Sequence, residues 1–341
     1  MTLSDVFTEI KSREISRRQV LFYNGSVIQI SSNYYSLGIF IEKCFDCWNM
    51  ITDCQPLDES AIQVKALCDR KLTDQLVVKL SGLKQVEGYF FGVSCIKYYY
   101  QSWLIIYSYH RNILYIFNKE SYDLYVIGHD EKVINLSVSS CANLFFSSQL
   151  LKNDFSIVHA AALSFSGQGF LIVGKKGAGK TSTILSLLGE GVKFLGNDRC
   201  YLKIVNNGLF CQTLQQDIPL GLGFINSIGW GQEIRDRILL GQMQHPGTKS
   251  YILNRIQAND FTPQYRESGR EYKYYLFTSQ IPNLIADIAT NINVVLRPHV
   301  SAYQEIAVKP TSKNLIDSQE LFFEPTDEIF LEIVSSNTIR S

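Results

Sequence analysis

The chain has no excess of charge of either sign, since 32 Lys and Arg residues balance 32 Asp and Glu residues among 341. A general nucleic-acid binder would carry a basic excess, so the balance argues against that class. The sequence also lacks any apolar run near the ~20 residues that a membrane span requires. Its first residues include Asp5 and Glu9 and no apolar stretch, so we expect no secretory signal. These absences favour a soluble, cytoplasmic protein that binds neither membranes nor nucleic acid.

A complete set of zinc-ligand cysteines is also missing. Eight cysteines are scattered along the chain, and Cys44 and Cys47 form a Cys-x-x-Cys pair with Cys54 nearby, which raises a zinc or redox interpretation. No second pair and no close histidine completes four ligands. The pair also falls in a run, residues 37–50, whose apolar residues recur at helical spacing. We therefore interpret the cysteines as reduced, buried residues.

The length suggests two domains, which we place at residues 1–150 and 151–341. In the first, an Asn-Gly pair at 24–25 lies between apolar runs and predicts a hairpin. The predicted helices of this domain are a short lead within 1–18, then 33–50 and 133–151, and the predicted strands are 89–94, 103–109, 113–117 and 124–127. We expect a small mixed α/β recognition or regulatory domain with antiparallel strands.

The second domain shows a different pattern, in which strands alternate with a glycine-rich turn and a helix. Its predicted strands are 158–165, 169–173, 192–195, 201–205, 209–213 and 293–296. Residues 223–243 have helical character and residues 321–334 predict a closing helix. The stretch 245–274 is polar and broken by glycine and proline, so we expect a mobile loop or lid.

The strongest motif of the chain is Gly174 to Thr181, which fits the phosphate-binding pattern G-x-x-x-x-G-K-[ST]. An apolar run, 170–173, precedes it and a helical run, 182–188, follows it, as a strand–loop–helix arrangement requires. The glycines let backbone N–H groups approach phosphate oxygens, and the helix N-terminus adds partial positive charge. An ordinary glycine-rich turn is the alternative, which these flanking segments disfavour.

The motif predicts ATP and Mg²⁺ as ligands. Lys180 would contact the β- and γ-phosphates, and the Thr181 hydroxyl would bind Mg²⁺. Lys175 and Lys176 are either solvated or in contact with the same phosphates. The full set of predicted nucleotide-binding residues is Gly174, Lys175, Lys176, Gly177, Ala178, Gly179, Lys180, Thr181 and Ser182.

Two further residues are spaced to meet the motif. Asp198 follows Lys180 by eighteen residues at the end of a predicted strand, and His159 precedes Lys180 by twenty-one residues within another strand. If these strands flank the strand that leads into the motif, a cation, a hydroxyl, an acid and an imidazole converge, which is a minimal set for phosphoryl transfer. The alternatives are a strand-end cap for Asp198 and a core histidine for His159. Arg199 would pair either with phosphate or with a neighbouring acid.

Residues 158–202, Val-His-Ala-Ala-Ala-Leu-Ser-Phe-Ser-Gly-Gln-Gly-Phe-Leu-Ile-Val-Gly through Phe-Leu-Gly-Asn-Asp-Arg-Cys-Tyr-Leu, resemble the C-terminal domain of HPr kinase/phosphorylase. They are more similar still to its relatives that phosphorylate a serine of ribosomally made peptides. The resemblance implies a P-loop kinase domain with a phosphoenolpyruvate carboxykinase-like fold, catalytic roles for His159, Lys180, Asp198 and Arg199, and Thr181 and Asp198 at the metal. It also implies homo-oligomers.

The chain departs from the family at Asn197, where the first of two consecutive acids is expected. An amide neither accepts a proton nor brings negative charge to Mg²⁺, so the departure argues against a reverse phosphorolysis. We expect a kinase that transfers the γ-phosphoryl group of ATP to a Ser or Thr hydroxyl of a peptide or small protein. The alternatives are another ATP-dependent transfer or activation on this scaffold, and a nucleotide-binding sensor with little turnover.

Overall fold

The computed structural model is a mixed α+β protein that divides into two units, with the division between Gln149 and Leu150. Each unit is described by itself. No helix in the part of the chain described is both long and apolar enough to cross a membrane. The structure describes residues 3–13, 17–23, 25–45, 51–52, 62–121, 123–175, 177–189, 191–214, 217–242, 244–267, 269, 271–281, 284–300 and 306–311.

The first unit contains a nine-stranded mixed sheet with the order β3-β1-β2-β4-β9-β8-β7-β6-β5. Strands β2, β4 and β9 are parallel, and the remaining neighbours are antiparallel. Its elements are α1 (Leu3–Ser12), β1 (Arg17–Tyr23), β2 (Ser26–Ser32), α2 (Ser36–Phe45), β3 (Ile51–Thr52), β4 (Ile62–Cys68), α3 (Arg70–Leu80), β5 (Val86–Phe90), β6 (Val93–Tyr100), β7 (Trp103–Ser108), β8 (Ile113–Asn118), β9 (Asp123–Gly128) and α4 (Glu131–Lys152).

The core of this unit lies between α1, α3 and the meander β6 to β9. Phe7 of α1 stacks on Trp103 of β7 with ring centroids 4.6 Å apart. Leu76 of α3 is fully buried in the same cluster, with Ile105 and Ile116 from the strands. The hydrophobic cluster thus joins the apolar face of the short helix α1 to the apolar meander.

Several predicted elements of the first unit are confirmed. Tyr23 faces Ser26 across the predicted hairpin turn, and Gly25 has a φ of 80°, which favours glycine. The helix near residue 140 and the last three strands of the meander are also present. The predicted strand 89–94 is wrong, because Phe91 and Gly92 form a turn between β5 and β6. Apolar residues on both sides of Gly92, Phe91 and Val93, continue the strand pattern through this turn.

The helix predicted for residues 33–50 is observed as α2, which begins at Ser36 and has its last described residue at Phe45. Cys44 lies in it and is buried, in agreement with the interpretation of the cysteines as buried residues. Cys47 and Cys54 fall outside the described residues.

The second unit contains another nine-stranded mixed sheet, with the order β10-β14-β15-β19-β12-β11-β13-β18 and with β20 also paired to β19. Strands β16 and β17 form a separate antiparallel pair. Its elements are β10 (Ser156–Val158), β11 (Ala160–Phe165), β12 (Gln168–Val173), α5 (Lys180–Ser186), β13 (Val192–Gly196), β14 (Cys200–Val205), β15 (Gly208–Gln212), β16 (Ile218–Gly221), α6 (Leu222–Ser227), α7 (Gly231–Leu239), α8 (Ser250–Gln257), β17 (Lys273–Leu276), β18 (Ile285–Ala286), β19 (Ala289–Val300) and β20 (Ile306–Thr311).

One apolar cluster joins strands from distant places in this order. Val158 of β10, Val173 of β12, Leu195 of β13 and Val295 of β19 are all buried in it. Because β10 and β13 lie toward opposite ends of the strand order yet share this core, the sheet curls around the cluster. The curl brings the ends of several strands to one place.

The predicted strands 169–173 and 192–195 are confirmed, whereas the strand predicted for 158–165 is interrupted at His159. The hairpin whose turn at Asn206 and Asn207 has positive φ angles is also confirmed. Helical character at 223–243 resolves into α6 and α7, separated at Gly229. The prediction of a loop throughout 245–274 is wrong, since α8 and the start of β17 lie in it and His245 is buried. The predicted helix 321–334 lies outside the described residues.

Candidate active site at one edge of the second sheet

Three chain segments meet at one edge of the second sheet because of strand direction. Strand β11 is antiparallel to both of its neighbours, β12 and β13. The ends of β12 and β13 therefore lie at the same edge as the beginning of β11. The glycine loop, which we define as residues 174–181, follows β12; residues 197–199 follow β13; and His159 directly precedes β11.

His159 and Asp198 meet, although not by the predicted route. The distance between His159 Nε2 and Asp198 Oδ1 is 3.0 Å. Of the two strands expected to flank the motif strand, β11 does so, but β13 pairs with β11 and not with β12. The placement of His159 within a strand is also wrong, since it occupies the single-residue break between β10 and β11.

This break belongs to one interrupted ribbon, which we define as β10 and β11 paired with β13 and β14. Ala162 faces Gly196 on one side of the break and Val158 faces Cys200 on the other, in the same register. His159 therefore stands opposite Arg199, and both strands break at the same level. A bulge at Leu195 adds local twist just before the break.

The backbone at Asp198 is unusual. Its φ angle is 84°, in the left-handed region that residues other than glycine seldom adopt. A short polar side chain makes this conformation less costly for aspartate than for most residues. This residue lies in the break between β13 and β14, where its carboxylate contacts His159.

The glycine loop closes on itself between β12 and α5. Gly177 and Gly179 have φ angles of 84° and 83°. A Cβ atom at Gly174 would lie only 3.1 Å from the Cβ of Ala178, so the first residue of the loop needs a small side chain. Positive φ angles of this kind recur in anion-binding nests of backbone N–H groups.

The Lys180 side chain is held inside the glycine loop, to which the residue itself belongs. Its Nζ donates to the carbonyl oxygens of Gly174, at 2.8 Å, and of Lys175, at 3.2 Å, and only 6% of the residue is exposed. Burial lowers the pKa of Lys180, and the nearby charge of Asp198 acts in the opposite direction. The ammonium group is therefore positioned at the centre of the loop.

Thr181 connects the glycine loop to the end of β13. Its hydroxyl donates to Asn197 Oδ1 at 2.9 Å, and Asn197 is 4% exposed. The sequence marks Asn197 as a departure from two consecutive acids but does not predict this contact with Thr181. The signal available in the sequence was a buried-type strand end, Phe-Leu-Gly, that directly precedes the amide.

The carboxylate of Asp198 is electrostatically stabilised. Enclosure by protein raises its pKa, but the hydrogen bond from His159 and the charges of His159, Arg199 and Lys180 outweigh that effect, so its pKa lies below the usual value. The side chain is 61% exposed, which leaves room for a ligand. Asp198 is therefore an ionised, accessible carboxylate at neutral pH.

The other predicted site residues occupy the same edge with looser constraints. Arg199 is exposed beside Asp198, and the Lys175 side chain is exposed at the start of the loop. Ser182 follows Thr181 in α5 and is half-buried. Lys176 lies outside the described residues, so no contact is assigned to it.

The oxygen atoms at this edge fit a magnesium ion that arrives with phosphates. Within the described ranges, no group of three or more His, Cys, Asp or Glu side chains gathers to hold a metal. Thr181 and Asp198 nevertheless supply a hydroxyl and a carboxylate. Mg²⁺ commonly takes one or two such ligands and completes its shell with substrate phosphates and water.

Comparison with known proteins yields no match: no family model fits the chain, and no curated protein is significantly similar to it. The interpretation of this edge therefore rests on the geometry above. That geometry places the Lys180 ammonium, the Thr181 hydroxyl, the Asp198 carboxylate and the His159 imidazole at one edge of the sheet.

Proposed function

We propose that the second unit is an ATP-dependent kinase domain of the HPr kinase and phosphoenolpyruvate carboxykinase type. It transfers the γ-phosphoryl group of ATP to a Ser or Thr hydroxyl of a peptide or small protein. The observation that carries this proposal is the convergence of the glycine loop, with Lys180 and Thr181, on the His159–Asp198 pair. The resemblance of residues 158–202 to that family supports the same activity.

In this proposal the glycine loop binds the phosphates through backbone N–H groups. Lys180 exchanges its contacts with the Gly174 and Lys175 carbonyls for phosphate oxygens, which restores a full charge partner to a buried ammonium. Thr181 and Asp198 hold Mg²⁺ together with the nucleotide. The cation, when bound, neutralises charge that develops on the phosphates.

The transfer step uses Asp198 as the proton acceptor. The acceptor hydroxyl oxygen forms a bond to the γ-phosphorus, and the bond from that phosphorus to the bridging oxygen of the β-phosphate breaks, which releases ADP. The hydroxyl proton passes to Asp198. His159 donates from Nε2 to Asp198 Oδ1, so it holds the carboxylate in place while the second oxygen stays open to the cation and the acceptor.

A direct assay is incubation of the full chain with γ-labelled ATP, Mg²⁺ and a degenerate peptide library that contains Ser or Thr. Label in the peptides supports the kinase, and label only in free phosphate contradicts transfer to a hydroxyl of a peptide. Lys180→Ala removes the central cation and should abolish labelling. Lys193→Ala is the matched control, because Lys193 is exposed and pairs only with Asp287 in the contacts described for it.

A nucleotide sensor with little turnover is the second candidate, and Asn197 is the residue that favours it. The amide supplies no negative charge to a metal and accepts no proton. A sensor would bind Mg·ATP at the same loop but release neither labelled peptide nor phosphate in this assay. Equilibrium binding of a labelled nucleotide, measured beside the transfer assay, separates the two functions.

A further inference from the structure

We propose that Asn197 is a positioning residue that orients the Thr181 hydroxyl toward a nucleotide-borne cation. The inference rests on the proposed nucleotide site and adds to it a reason for the amide. A threonine hydroxyl has one proton to donate and two lone pairs to share. Because the proton is donated to Asn197 Oδ1 at 2.9 Å, both lone pairs of Thr181 Oγ1 face away from the amide.

Burial makes this orientation persistent. Asn197 is 4% exposed, and Thr181 lies at the first turn of α5, so water competes little for their hydrogen bond. The two residues also come from different segments, one from the end of β13 and one from the start of α5. The contact therefore fixes the rotation of the hydroxyl relative to the strand that carries Asp198.

The neutral amide also sets how the cation arrives. Asp198 follows Asn197, the residue that contacts Thr181, and one oxygen of its carboxylate already contacts His159. One partly engaged carboxylate and one neutral hydroxyl bind Mg²⁺ weakly by themselves, because tight sites need more charge or more ligands. We infer that the cation enters with the nucleotide, whose phosphates supply the missing charge.

The first test measures binding of Mn²⁺ alone to the full chain by electron paramagnetic resonance, without nucleotide. Wild type should bind weakly at this edge. Asn197→Asp keeps an acceptor for Thr181 and adds a second carboxylate, so the affinity for Mn²⁺ should rise at least about tenfold, within the range typical of groups that support metal ligands. Unchanged affinity in Asn197→Asp, or tight binding by wild type, would overturn the inference.

Asn207→Asp is a matched control for that test. Asn207 lies in the exposed turn between β14 and β15 with a positive φ, which asparagine and aspartate both tolerate. The substitution adds the same charge away from the site and should leave Mn²⁺ binding at the wild-type level. A similar gain in both variants would show a non-specific charge effect and would contradict the positioning role.

The second test measures binding of ADP with and without Mn²⁺. Asn197→Leu and Thr181→Val should each lose about 10–100-fold in affinity for Mn·ADP and retain the affinity for metal-free ADP. The double variant should lose no more than either single one, since both remove one interaction. Full additivity, or unchanged Mn·ADP binding in Asn197→Leu, would refute the inference.

The outcomes separate this inference from the proposed function. If wild type binds no Mn·ADP, the kinase proposal fails together with it. If wild type binds Mn·ADP and transfers phosphate but Asn197→Leu binds Mn·ADP equally well, only the positioning role fails. Circular dichroism confirms folding of each variant. If Asn197→Leu does not fold, the Mn²⁺ affinity of Asn197→Asp still tests the inference.

Discussion

At Asp198 the backbone and the side chain carry separate functions, and substitutions can separate them. The backbone adopts a left-handed conformation that asparagine tolerates as well as aspartate. The carboxylate contacts His159 and remains largely exposed. A change from aspartate to asparagine therefore removes charge and basicity at this position with little disturbance of the backbone in the break between β13 and β14.

We expect Asp198→Asn to lower the rate of phosphoryl transfer by about 10²–10⁴-fold, the range typical of a lost general base. Loss of charge near Mg²⁺ would add to that effect. The measurement is the initial rate of peptide labelling at saturating ATP. Asp154→Asn is the control, since Asp154 is an exposed aspartate that also has a positive φ. A near-normal rate in Asp198→Asn would move the base to another group.

The contact of His159 with Asp198 predicts a shift in the pH profile. The hydrogen bond and charge of His159 lower the pKa of Asp198, so His159→Leu should raise that pKa toward its usual value. Activity requires the ionised carboxylate and is lost as pH falls through its pKa. The acidic limb of the kcat/KM profile should therefore move to higher pH in the variant.

His110→Leu provides the comparison for that profile, because His110 is exposed in a turn of the first unit. Its acidic limb should coincide with that of wild type. An acidic limb in His159→Leu that stays in place, or moves to lower pH, would show that His159 does not control the ionisation of Asp198.

At the scale of the elements, strands β12 and β19 lie in close contact near the start of β12. A Cβ atom at Gly169 would lie 2.2 Å from the Asn291 carbonyl oxygen, and the Gly169 N–H donates to Asn293 Oδ1 at 2.9 Å. Neither contact leaves room for a methyl group. This parallel pair forms the centre of the sheet from which the glycine loop emerges.

We expect Gly169→Ala to lower the free energy of unfolding by about 1–3 kcal/mol, as overpacked interiors do. Urea denaturation of the purified chain provides the measurement. Gly189→Ala is the matched control, because a Cβ atom there meets no atom within 4 Å. It should change stability by less than about 0.5 kcal/mol. Equal stability of Gly169→Ala and wild type would contradict the close approach.

Local patterns predicted the elements of the site better than their arrangement. The glycine loop, the strand before it and the turn at Asn206 follow from nearby residues, and each is observed. The pairing of β13 with β11 depends on contacts between distant segments, which a single sequence does not reveal. For the same reason His159 was placed inside a strand, although a break opposite Arg199 interrupts it.

The prediction of a loop for residues 245–274 is wrong for a different physical reason. Polar residues and turns indicated a loop, yet α8 is amphipathic and buries Ile252 and Ile256. His245 is enclosed between the rings of Tyr275 and Phe277 and contacts Asp217 at 3.2 Å. Tertiary packing therefore stabilises a helix and a buried histidine that local composition disfavours.

For the whole molecule, nucleotide binding should be visible as stabilisation by mass action. A ligand at a hundred times its dissociation constant stabilises the folded state by about 2.7 kcal/mol. We expect Mg·ADP to raise the melting temperature of the wild-type protein in calorimetry. The melting temperature of Lys180→Ala should not change when Mg·ADP is added. Lys193→Ala should respond as wild type does. A wild-type protein whose melting is insensitive to Mg·ADP would contradict the nucleotide site.

The interrupted ribbon determines where insertions and deletions in related sequences are compatible with the geometry of the site. His159 and the residues after β13 are aligned by strand pairing on both sides of the break. Residues added after α5, near Gly189, lengthen a connection and leave that alignment intact. A single residue inserted in β10 or β14 shifts the pairing by one position and reverses which side chains face inward. Relatives of this chain should therefore vary in length at the first place and keep it constant at the second.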